Sequence, residues 1–123
     1  MRAYTVATAA VALNVDAKWV DNVLSHHAVA GVSQSRQGIA RRLTAEAVCV
    51  LELALRLTRG FGIPVRSALG ISQTLLEGGA ASVAIDDCDL RVDGGAIRAS
   101  IAVRLAEAVE IAPVPRRGRP RIG

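Results

Sequence analysis

The chain has 123 residues, 51% of them apolar and 2% aromatic, with a formal net charge of +4. That length fits one compact domain, whose core has to be closely packed Ala, Val, Leu and Ile, a composition that weighs against a wide ligand pocket. No run approaches the roughly 18 apolar residues of a membrane span. Cys49 and Cys88 stand at neither metal-ligand nor disulfide-framework spacing, so they read as reduced thiols of a cytosolic protein.

The charge is segregated. Residues 1–43 carry net +3, 44–79 net 0, 80–112 net −3 and 113–123 net +4. Cations gathered at both ends of a chain that is acidic between them point to a polyanionic partner more strongly than the net value does.

The first predicted element is a helix in "YTVATAAVAL", with Thr5 as N-cap and Val6, Ala9, Ala10 and Leu13 at helical spacing. The same segment has the outline of a secretory signal. Thr5 and Thr8 break its apolar stretch, however, and the helix is the better reading. Asn14 and Val15 interrupt the pattern. Asp16 then caps a second helix, "DAKWVDNVLSHH", in which Val20, Val23, Leu24 and His27 share one face. Two short helices around a tight turn, the second polar on its outer side, make a helix-turn-helix outline.

Apolar pieces at 28–32 and 39–43 flank a turn rich in Ser, Gln and Gly and predict a hairpin carrying Arg36, Arg41 and Arg42. Thr44 caps a longer helix with Val48, Leu51, Leu55 and Leu57 inward and Gly60 at its end. Pro64 opens another, through Ala68, Leu69, Leu75 and Leu76, that stops at Gly78-Gly79. "SVAIDDCDLRV" reads as two short strands around an Asp-rich turn. Asp93 caps a last helix over 94–111, with Ile97, Ile101, Leu105 and Val109 as a narrow stripe for the body of the protein or a second subunit. Pro113 and Pro115 end the order, and a disordered Arg-rich tail follows.

In that order the residues resemble the DNA-binding domain of MerR-type and excisionase-like regulators. "YTVATAAVALNVDAKWVDNVLSHH" carries the helix-turn-helix, "RQGIARRLTAEAVCVLELALRL" the passage from wing to helix, and "FGIPVRSAL" the fourth short helix. The likeness spans about residues 4–78. It departs from the family at His26 and His27, where those regulators carry an aromatic pair, and in lacking their long dimerising helix. It implies that the second helix enters the major groove and that the hairpin lies along the DNA backbone as a wing. On that reading Ala17, Lys18 and Asn22 face base edges, Asn22 suiting adenine and Lys18 guanine or phosphate. Arg36, Arg41 and Arg42 contact phosphate.

The tail reads "PRRGRPRIG". Its "RGRP" matches the core of an AT-hook, a device that lays arginines along the narrow minor groove while a glycine permits close approach. Arg116, Arg117, Gly118, Arg119 and Arg121 are its candidate contacts.

Three regions are expected: a MerR-like winged helix-turn-helix over 1–78, a hairpin-and-helix appendage over 79–112, and the tail over 113–123. The fold class is mainly α. The function expected is sequence-specific regulation of transcription on double-stranded DNA, in the cytoplasm of a bacterium or phage host and on the nucleoid, as a dimer or on tandem sites. No cofactor or metal is expected. No Gly-rich phosphate loop or serine elbow is present, and catalysis is not expected. Two alternatives compete: an antitoxin-like or adaptor protein that holds a protein partner through 94–111, and a sequence-neutral nucleoid protein.

Overall fold

The computed structural model describes residues 2–33, 40–77 and 82–111. Among these the chain is mainly helical: five helices, a three-stranded antiparallel sheet and a separate two-stranded hairpin.

Strand β1 (Ala3–Thr5) leads without a loop into α1 (Val6–Leu13). Thr5 is extended, and its Oγ1 accepts the Thr8 N–H at 3.1 Å, satisfying one of the donors a helix start leaves free. Asn14 ends the helix in the left-handed conformation, φ 60°, and the Val15 N–H closes back on the Ala10 carbonyl at 3.0 Å. This closure fits the Schellman motif, and Asn is among the few residues that tolerate its backbone. Helix α2 (Ala17–His26) follows at once. Asp16 occupies its N-cap position, but its side chain makes no capping bond.

Strand β3 (Arg42–Thr44) lies between β1 and β2 (Val32–Ser33), with Thr5 opposite Arg42 and Val32 opposite Leu43. The expected hairpin is therefore present with shorter arms than its apolar pieces suggest, and its turn, with Ile39, lies outside the described residues. The third strand, β1, was not expected: the sequence pattern caps the first helix at Thr5, as observed, but assigns no strand to the residues before it. Three residues are too few to show a period of two, and only pairing with β3 makes them a strand. Thr44 repeats the corner made by Thr5: its dihedrals are nearly the same, and its Oγ1 accepts the Ala47 N–H at 3.1 Å.

Helix α3 (Ala45–Phe61) is the centre of the molecule, buried on most of its circumference from Ala47 to Leu57. Gly60 does not end it, as the sequence reading had it. Gly62 does, at φ 71°, with its N–H on the Thr58 carbonyl at 2.9 Å. Helix α4 (Val65–Glu77) packs along α3 through Ala68, Leu69, Ser72, Leu75 and Leu76. The proposed boundary at Gly78-Gly79 lies outside the described residues.

Strands β4 (Ser82–Ile85) and β5 (Cys88–Arg91) form the hairpin around Asp86 and Asp87. The Asp93 Oδ1 accepts the Ala96 N–H at 3.0 Å and starts α5 (Gly94–Ile111). Ile97, Ile101 and Leu105 are buried as expected; Val109 is 38% exposed, and Ala108 takes its place. The reason is geometric: steps of four residues drift by about 40° around an α-helix, so a strict i+4 stripe leaves its own contact face.

That stripe packs on α1 and α3, and its residues belong to the same core as theirs. Two charged links reinforce the seam. Arg98 donates to both carboxylate oxygens of Glu46, at 3.0 and 2.8 Å, and to the Leu76 carbonyl at 2.6 Å. Hydrogen bonding to Glu46 holds the Arg98 guanidinium pKa above its ordinary value. Arg104 reaches Glu52 at 3.3 Å. No described helix is long and apolar enough to cross a membrane.

Candidate nucleic-acid interface

Helix α2 buries only Val20 and Val23 fully, while Trp19 and Leu24 are half-buried. Everything else on it faces outward: Ala17, Lys18, Asp21, Asn22, Ser25 and His26 are exposed. The turn Asn14–Asp16 is tight because α1 ends in a left-handed residue, so α2 is held close to α1 with its polar side free.

Of the candidate base-reading residues, Ala17, Lys18 and Asn22 therefore share one open helix surface. The Asn22 carbonyl accepts a hydrogen bond from His26 Nδ1 at 2.8 Å. A carbonyl only accepts, so Nδ1 carries the proton. The Asn22 side-chain amide is exposed.

The candidate phosphate contacts part company. Arg42 is exposed on β3. Arg41, one residue earlier, turns toward α2: its guanidinium donates to Asp21 Oδ1 at 3.0 Å and to Ser25 Oγ at 3.1 Å. The Ser25 hydroxyl in turn donates to the Asp21 carbonyl at 2.8 Å. Only 21% of the Arg41 side chain remains accessible. Arg41 thus braces the outer helix from the sheet, a link between residues 20 apart that no local pattern signals. Arg36, Arg116, Arg117, Gly118, Arg119 and Arg121 lie outside the described residues.

Behind α2 the hairpin side is fixed to the body by backbone. The Gly31 carbonyl accepts the Thr44 N–H at 2.9 Å, and the Gln73 side chain of α4 accepts the Ala30 N–H at 3.1 Å. Gly31 stands at φ 88°, and a Cβ there would run into the Thr44 hydroxyl that caps α3. The segment after α2, strand β3 and the start of α3 are thereby locked together. Sequence reasoning named neither Gly31 nor Gln73; a glycine among small apolar residues was the only available sign.

No family model, curated protein or solved structure matches the chain.

Proposed function

We propose that this protein is a sequence-specific DNA-binding regulator of transcription acting on the nucleoid, with α2 in the major groove, the β2–β3 hairpin as a wing along the backbone and the arginines of 113–123 in the minor groove. One observation carries the reading: a short helix whose outer surface offers Lys18 and Asn22, clamped by Arg41 to the strand that bears the exposed Arg42. A reading helix needs free polar side chains and a fixed orientation relative to its backbone contacts. Apart from the added strand β1, the described order α1–α2–β2–β3–α3–α4 also supports the reading, since it runs as the MerR-type resemblance implies.

The test is binding to a pool of duplex fragments at several salt concentrations, with the full chain and a chain ending at Pro113. A regulator retains particular fragments, by about 4–10 kcal/mol over bulk DNA. Loss of four tail arginines lowers the salt slope by up to about 3–4. Retention without sequence preference makes it a sequence-neutral nucleoid protein instead. No binding at low salt removes the reading.

A second reading, a protein that holds a partner or a second copy through α5, is favoured by the outer side of that helix. Val103 is 59% and Ile111 71% exposed there, although Ile97, Ile101 and Leu105 are consumed internally. Co-purification of a stoichiometric partner, lost on Val103→Glu, would favour it over DNA binding.

A further inference from the structure

A shallow depression of about 460 Å³ lies where α1, α3 and α5 meet. Leu13 and Leu55, both buried, line it, and Glu52, Arg56, Arg59 and Arg104 give it three guanidinium groups to one carboxylate. Arg59 and Asn14 also line an adjoining depression of about 450 Å³, which contains Trp19.

Charge in this groove is organised. The Glu52 side chain is only 10% accessible, and it takes Arg56 Nε at 2.8 Å on one oxygen and an Arg104 Nη at 3.3 Å on the other. Each arginine carries five N–H groups, so each keeps donors beyond the one that Glu52 engages. Arg59 lies one turn beyond Arg56 on α3 and takes no salt-bridge partner among the described residues. Arg98 is the contrast: the same residue type on the same seam is bound to both oxygens of Glu46 and to a backbone carbonyl.

We infer that this groove binds a small organic anion, its carboxylate or phosphate group held by Arg59 with Arg56 and Arg104. Planar guanidinium groups suit oxyanions, and the volume falls in the range of small-molecule sites. The inference does not depend on the DNA-binding reading.

Trp19, the single tryptophan of the chain, lines the adjoining depression, which shares Arg59 and Asn14 with the groove. The full-length protein is titrated with inorganic phosphate and, separately, with succinate, at ionic strength held constant with sodium chloride, while Trp19 emission is followed. The expected result is a saturable change with at least one of the two anions, weakened about ten-fold or more in Arg59→Gln and less in Arg59→Lys. Both variants should keep the thermal transition of the parent without ligand. Which anion saturates first separates a phosphate head from a carboxylate. The proposal is overturned if both titrations merely follow chloride, or if Arg59→Gln binds as the parent does. It is equally overturned if neither anion gives a saturable heat of binding to the parent protein in calorimetry.

Discussion

At single residues the structure makes sharp demands. Cys49 is 3% exposed, and its thiol is pushed up to about 11 by burial first, then by Glu46 and Glu52, against the opposing pull of Arg98. Cys88 is exposed. A thiol reagent should therefore label Cys88 in the native protein and Cys49 only on unfolding, which mass spectrometry after timed alkylation reads directly. The same burial sets a pH dependence. Below about pH 9 both folded and unfolded chains hold the Cys49 proton; between about 9 and about 11 only the folded chain does. Stability should then fall as pH rises through that window, by on the order of 2 kcal/mol, and Cys49→Ala should flatten that part of the slope in urea titrations. Gly31→Ala meets both a left-handed φ and the Thr44 hydroxyl. The backbone alone costs about 1–2 kcal/mol and the collision adds to it, so a fall of several degrees or more in melting temperature is expected. Ser72 points the other way: fully buried, its hydroxyl finds no partner among the described residues. Ser72→Ala should leave stability unchanged or raise it by about 1 kcal/mol.

Elements show how far the sequence reading could go. Helix starts at Thr5, Thr44 and Asp93 were legible because a cap is local chemistry, a side-chain oxygen within three residues of the N–H it accepts. The exposed surface of α2 was legible for a similar reason, since period 3.6 alone separates Lys18 and Asn22 from Val20 and Val23. Strand β1 was not, because its partner lies nearly 40 residues away in sequence. Nor was the destination of Arg41, which a charge pattern assigns to phosphate and the fold assigns to Asp21 and Ser25. That difference is measurable. If Arg41 serves DNA binding by holding α2, Asp21→Ala should weaken binding although it removes a negative charge from the surface. Arg41→Ala should do the same with little change in salt slope, whereas loss of a direct phosphate contact lowers the slope by about 1. In the free protein the half-exposed pair should show a coupling of no more than about 0.5–1 kcal/mol in a double-mutant cycle.

On the scale of the whole molecule, α5 decides what counts as the body. Read from sequence, it was the last helix of an appendage beyond residue 78, its stripe meant for the body or for a second subunit; in the structure that stripe shares one core with α1, α3 and α4. Burial of Ile97, Ile101 and Leu105 is worth about 1.5–3 kcal/mol each before entropy is charged against it, so the three together are comparable with the entire stability of an ordinary domain. Without α5 the adjoining sides of α1 and α3 would face water. Glu46 would lose Arg98, and the nearly buried Glu52 would keep only Arg56. A chain ending at residue 92 should therefore lose cooperative urea unfolding and bind a hydrophobic dye, while a chain ending at Ile111 should unfold as the full protein does. A cooperative transition with parental midpoint in the shorter chain would make α5 an accessory after all. α1 contacts both α2 and α5, so the same truncation should release α2 from its fixed orientation. On the DNA-binding proposal, duplex binding by the shorter chain should then fall to the salt-sensitive, sequence-blind level that loose cations alone support.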